Sequence, residues 1–318
     1  MSRHLLSLVV VVGTAAAAQG EVAVELLNMP TRVHSFEPVY VLYSIENTGT
    51  TPVYIPAQGA PDRGPGVYFA RAGEAPRWVG MTGDWAVPHA EETAWLAPGE
   101  RWLVYEDISY WLGVLEGDVS VQAVLSSNGR CGDQQVAGRR SYPLQPLRLQ
   151  PLRVGVRTFP VYRCWEGEVR SNVWTLTVER ATSPEDLQAH EYLVGRGALL
   201  HDRESDRWLL IRGSGLEDRF PSSHYTYAFL ARGTSSSRQQ KRAIELQPAH
   251  PLNSWVNGAI TREALKHQLG RSVGRMAEEL DLPVGFVEYL EQHAWNLEHR
   301  GRADPPVVRD DRRPREKR

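Results

Sequence analysis

Ten histidines, two cysteines and ten tryptophans are the residues of this 318-residue chain that could ligate, titrate or stack. His34, His89, His190, His201, His224, His250, His267, His293 and His299 are scattered, and no two sit four residues apart on one helix, so the sequence signals no metal pair. Each reads as a surface or satisfied structural histidine. There is no G-x-S-x-G elbow, no phosphate loop, no G-x-G-x-x-G after a strand and no H-E-x-x-H. Gly213-Ser214-Gly215 has the wrong spacing for a nucleophile elbow and reads as a linker. The acid pairs Glu91–Glu92 and Glu278–Glu279 read as solvated faces. The expectation is therefore a non-enzymatic protein with no catalytic residue, no cofactor and no metal ligand.

The cysteines and tryptophans leave two weaker features. Cys131 and Cys164 are the two cysteines of the chain, and in an oxidising compartment such a pair favours a disulfide over a metal site. Closing that loop would stabilise the fold by about 3–4 kcal/mol on the chain-entropy account. Trp78, Trp85, Trp95 and Trp111 fall in or beside loops, and Trp85 and Trp95 bracket an acidic patch with Asp84, Glu91 and Glu92. Flat rings beside carboxylates suit stacking on a sugar, although the same rings also anchor sandwich cores and sheet ends. Trp174 lies on a core-facing alternation, and Trp165 is expected to pack beside Cys164.

The chain's start sets the compartment in which those cysteines would pair. MSRHLLSLVVVVGTAAAAQG has a basic beginning, an apolar run from Leu5 to Val12 and small residues from Ala15 to Ala18. That is the pattern of a cleaved export signal over residues 1–19, too short in its apolar run to span a bilayer. The expected mature protein is periplasmic or extracellular, without a transmembrane segment. A formal net charge of -2 argues against a nucleic-acid partner, leaving a protein or cell-envelope partner as the expectation.

The elements that must position these residues divide in two. Val22, Val24 and Leu26 alternate in a first strand, and Val39, Val41, Tyr43 and Ile45 share one face of a second. Asn47-Thr48-Gly49 should turn that strand into a partner beginning at Val53. Further strands are expected in GVYFARAGEAPRWVG, LAPGERWLVYEDI, GDVSVQAVLSS and SNVWTLTVE, with loops at 57–66 and from Asn128 to Val156. One-face-buried alternation of this kind implies an antiparallel sandwich over residues 21–180. Ser183-Pro184-Glu185-Asp186 then opens a helix, since serine caps free amides, proline suits the first turn and acids meet the positive dipole end. More helices are expected from Ser222 or Ser223, over 252–269, over 271–280 and from Pro283, giving a helical module over 183–300. FPSSHYTYAFLARG and PAHPLNSWVNGAI share a proline, a polar cap and an aromatic-bearing helix, a hint of helical-hairpin repeats. Residues 301–318 are charged and proline-bearing, and a disordered tail is expected.

Three stretches carry a resemblance: FEPVYVLYSIENTGTTPV at Phe36–Val53, LAPGE at Leu96–Glu100 and WEGEVRSNVWTLTV at Trp165–Val178. Together they resemble the immunoglobulin-like β-sandwich module of uncharacterised bacterial exported proteins. The first half is also similar to the bacterial intracellular proteinase inhibitor family, whose hairpin and L-x-P-G-E turn it shares. The likeness runs from Glu21 to about Arg180 and rests on fold-supporting residues. It implies an immunoglobulin-like sandwich followed by helices, and an exported binding protein. Alternatives are a carbohydrate-binding module using Trp85 and Trp95, or a secreted proteinase inhibitor.

Overall fold

The computed structural model describes residues 22–56, 64–71, 73–79, 93–109, 116–131, 148–154, 157–202, 207–210, 215–232, 235–265, 273, 280 and 282–298. Strands come first: β1 (Val22–Asn28), β2 (Arg32–His34), β3 (Tyr40–Asn47), β4 (Val53–Pro56), β5 (Gly64–Arg71), β6 (Arg77–Val79), β7 (Thr93–Leu96), β8 (Arg101–Asp107), β9 (Gly117–Cys131), β10 (Arg148–Val154), β11 (Arg157–Arg170) and β12 (Trp174–Glu179). Then follow α1 (Pro184–Gly195), the hairpin β13 (Leu199–Asp202) and β14 (Arg207–Leu210), and helices α2 (Leu216–Arg219), α3 (His224–Ala231), α4 (Ser237–Leu246), α5 (Asn253–Leu265) and α6 (Phe286–Glu298). The order is β then α, interrupted by one hairpin inside the stretch expected to be wholly helical.

One sheet runs β1-β3-β8, antiparallel throughout. The larger one runs β10-β11-β9-β12-β2, with β5 on the free side of β9 and β6 beyond it. It is mixed rather than antiparallel as expected, because β2 joins β12 in parallel through Thr177–Arg32, Val178–Val33 and Glu179–His34. Three further expectations are corrected here. The turn at Asn47 does not return β4 onto β3; β4 pairs with β7 instead. The loop expected from Asn128 to Val156 contains the end of β9 and the whole of β10, and the loop expected at 57–66 gives way to β5 at Gly64. Asn47 explains the first difference. Its buried amide donates to Thr51 O at 2.8 Å and Leu96 O at 3.0 Å, tying the turn to β7 rather than closing a two-strand hairpin.

Strand β3 was expected to bury one face, yet it buries both. Val41, Tyr43 and Ile45 share a face with Val24 and Leu26 of β1, and β1 lies against β9 and β11 of the larger sheet. On the opposite face, Tyr40 gives its hydroxyl to Ala231 O at 3.0 Å, and Tyr105, beside Leu42, meets Phe286 edge-on with ring centroids 5.0 Å apart. The helices thus form a third layer on the small sheet, and one buried apolar cluster runs from Val22 through Tyr43 to Tyr227, Trp255, Phe286 and Leu290. The change near residue 180 is a change of secondary structure that this core crosses. A second, smaller cluster (Ala189, Leu193, Leu199, Leu216, Tyr225) packs α1, β13, α2 and α3 together.

The seating of α6 depends on Gly258. A Cβ there would lie 2.7 Å from the Phe286 ring, so only glycine lets α5 and α6 approach this closely. Gln292 of α6 then does what a neighbouring strand would do for the edge strand β8. Its Oε1 accepts from Leu103 N–H at 2.8 Å and its Nε2 donates to Leu103 O at 2.9 Å. Asn172 closes the other edge in the same way, accepting from Leu26 N–H at 3.0 Å and donating to Leu26 O at 3.4 Å. Unpaired edges invite association with other chains, and here two side-chain amides cover them at one position each.

Candidate functional site

The site begins in the turn between β2 and β3. Phe36 takes a left-handed backbone with φ 73°, uncommon for a bulky residue. Its ring lies 5.6 Å from that of Tyr225, a contact that holds the turn in place. Pro38 disfavours a helical backbone at the residue before it, so the chain leaves Glu37 towards β3 while the Glu37 side chain turns inward. Glu37 is 3% exposed, and its Oε2 accepts from His34 N–H at 2.7 Å.

Two histidines from the helical half meet the other oxygen. His224 is the first residue of α3, capped by the Ser223 hydroxyl. Its backbone N–H donates to Asp186 at 2.8 Å, as does the Ser223 hydroxyl at 2.8 Å. Asp186 also closes the capping box of α1 with Ser183. One carboxylate therefore serves two helix starts. Burial pushes Asp186 up, but the Ser183 and Ser223 hydroxyls and the His224 amide overcome it, and the net pKa falls below the usual value. With its backbone so fixed, His224 places Nδ1 at 2.5 Å from Glu37 Oε1.

His250 lies in the turn between α4 and α5, and its Nε2 is 3.0 Å from the same oxygen. Its ring is stacked on Tyr227, with centroids 3.6 Å apart and planes 18° apart. The Tyr227 hydroxyl in turn donates to Asn253 Oδ1 at 2.9 Å. The Leu252 amide donates to His250 Nδ1 at 3.3 Å, which assigns the ring proton to Nε2 and makes that nitrogen the donor to Glu37. A third ring, His34, lies 3.6 Å from His224 centroid to centroid. Its Nδ1 is buried without a hydrogen-bond partner.

The electrostatics follow from this geometry. Burial alone would raise Glu37, but hydrogen bonds from His224 and His250 win and hold its carboxyl down to about 2. Burial lowers His224, and the Glu37 contact more than reverses this, leaving it above its usual value. For His34 burial prevails over the attraction of Glu37, so its pKa is lowered. Glu37, His224, His250 and His34 all line a cavity of about 450 Å³ whose walls include Trp174 and Trp255. Side chains from the β2–β3 turn, β12 and the α3 and α5 starts thus converge on one concave surface.

No motif in the sequence connects the three histidines, and 187 residues separate Glu37 from His224. A partial signal was present in the two similar stretches FPSSHYTYAFLARG and PAHPLNSWVNGAI, since each carries a histidine beside a helix start. Trp85 lies outside the described residues. Trp95 sits in β7 opposite Tyr54, with its side chain outside them. Trp174 is partly buried and packs against the main core, and Trp165 is buried. Cys131 ends β9 opposite Tyr162, two residues before Cys164 on β11, and among the described residues no cysteine is free. The export signal and the C-terminal tail lie outside the described residues. Among the described residues no helix is long and apolar enough to cross a membrane.

No family model and no curated protein matches the chain. Similar solved structures include a β-glucosidase from Listeria innocua in complex with glucose, at 16% identity over 33% of this chain and 14% of that one, with a TM-score of 0.23. A CARDB domain from Pyrococcus furiosus, solved in complex with di-metal ions, is 12% identical over 51% of this chain and 90% of that one, with a TM-score of 0.24. The sporulation control protein of Bacillus subtilis is 9% identical over 57% of this chain and 58% of its own, with a TM-score of 0.28. Overlap at this level carries no argument about fold or function.

Proposed function

We propose that the chain is an exported, non-enzymatic binding protein of the bacterial cell envelope or exterior. In this reading an immunoglobulin-like sandwich is joined to a helical module, and the ligand sits in the cavity between them. The observation that carries the proposal is that cavity: about 450 Å³, within the range of small-molecule sites, with aromatic walls and a few convergent polar groups. The β1-β3-β8 sheet, with β1 against β9 and β11, supports the sandwich. The N-terminal pattern supports export, and neighbouring strands carrying Cys131 and Cys164 support a disulfide between them. The test is equilibrium binding of the mature chain to fractionated envelope extract, split into protein, glycan and small-molecule pools. Retention of a component from one pool, lost in Trp174→Ala while the fold persists, supports the reading. Chemical turnover of a retained component, abolished by His224→Ala, would replace it with an enzyme.

A sugar ligand is the second reading, now moved from Trp85 and Trp95 to Trp174 and Trp255. Indole faces lining the same cavity as carboxylate and imidazole groups supply both stacking and hydroxyl recognition. Binding to a glycan panel that survives Trp174→Ala would dismiss it.

A further inference from the structure

We propose that Glu37, His224 and His250 bind one divalent transition-metal ion of the zinc class, with a further coordination position open to the cavity. The site stands whether or not the cavity takes the ligand proposed above. Its ligand atoms, one carboxylate oxygen and two imidazole nitrogens, all lie within 4.8 Å of one another. A tetrahedral ion with bonds of about 2.0–2.2 Å sets its ligands about 3.4 Å apart. The Glu37–His224 and Glu37–His250 separations of 2.5 Å and 3.0 Å therefore need to open by about 1 Å or less. Rotation of the Glu37 carboxyl and a small swing of either ring supply that.

The donor set selects the ion. Two imidazoles with one carboxylate suit zinc, copper or nickel, whereas magnesium and calcium ask for an oxygen cage. Three protein ligands with a position left for water or a bound molecule is the pattern of open rather than closed zinc sites. Outer partners that hold such ligands in place are also present. The His34 N–H fixes the second oxygen of Glu37 at 2.7 Å, the His34 ring lies against His224 at a 36° tilt, and the Tyr227 ring stacks on His250. One contact opposes the ion. A metal on His250 Nε2 moves the ring proton to Nδ1, facing the Leu252 amide. That hydrogen bond is long at 3.3 Å, so its loss is a small cost. Coordination to a metal is one of the ways a buried carboxylate is compensated.

The alternative is that the same three groups are only a clasp between sheet and helices, which would take up no ion. Titration of chelator-washed, untagged mature chain with Zn²⁺ by calorimetry, paired with visible absorption on Co²⁺ addition, separates the two. The expected result is one ion per chain, a raised Tm and a Co²⁺ spectrum of tetrahedral type. His224→Ala and His250→Ala should each weaken Zn²⁺ at least about 10-fold, the loss expected from disturbing even an outer partner. His190→Ala, away from the cluster, should change nothing. Glu37→Gln also breaks the clasp between sheet and helices, so the two histidine variants, checked by circular dichroism, carry the test. Absence of a stoichiometric ion on the folded wild-type chain, or unchanged affinity in the folded His224→Ala/His250→Ala double variant, overturns the proposal.

Discussion

Glu37 is buried and Glu106 half-buried, near opposite faces of the β1-β3-β8 sheet, and their surroundings shift the two carboxyls in opposite directions. Glu37 meets the helices and receives two imidazole nitrogens and a backbone amide, so it is ionised, held down to about 2. Glu106 shares the sheet-facing side of β8 with Val104 and, among the described residues, receives the Tyr43 hydroxyl at 2.8 Å as its one hydrogen bond, so burial pushes it up to about 7. Burial penalises the charge in both cases, and the number and charge of the donors decides whether it survives. Their pH signs are accordingly opposite. The stability from Glu37 is present above its unfolded value and lost as pH falls through about 2. The stability from Glu106 is present below its unfolded value and lost as pH rises through about 7.

Four measurements break or sharpen this contrast. Glu37→Ala should have the largest effect, about 3–5 kcal/mol in urea denaturation, because it strands two histidines in a partly buried network. A loss below about 1 kcal/mol would mean that the network is solvated in solution. Through Glu106, stability should fall by about 3 kcal/mol as pH rises from 4.5 to 7, and Glu106→Gln should flatten that slope. An unchanged slope in the variant would assign it to another group. Gln292→Ala leaves the buried Leu103 N–H and C=O without their partner and should cost about 2 kcal/mol, read as a shift in urea midpoint at constant slope. Asn172→Ala removes the matching amide at the more exposed β1 edge and should cost under about 1 kcal/mol. Equal losses at Gln292 and Asn172 would show that burial does not distinguish the two edges.

The elements were legible where their signals are local. The alternation of β1, β3, β8, β9 and β12 was visible, as were the Ser183 cap and a cap at Ser222 or Ser223, of which the structure uses Ser223, because side-chain period and capping depend on residues a few positions apart. The short hairpin β13–β14 was not, since strands of four residues carry too little alternation to read. Helix α4 was missed although its Ser236–Gln239 capping box and one-sided apolar spacing are local signals. The partner of β4 was not legible. Nothing near Val53 announces that Asn47 binds Leu96 O and draws β7 alongside.

The candidate site was the least legible part. Residue type made each histidine a weak candidate on its own, and nothing local marks Glu37 as a buried acid. The β-then-α order, the alternation of the strands and several helix starts are written locally in the chain, because they follow from short-range sterics, capping and hydrophobic period. Only the tertiary structure decided that β3 is covered on both sides, that helices close the small sheet, and that Glu37, His224 and His250 share one oxygen's surroundings. Those facts depend on which surfaces pack together across as many as 213 residues, and no local pattern in the chain encodes that distance.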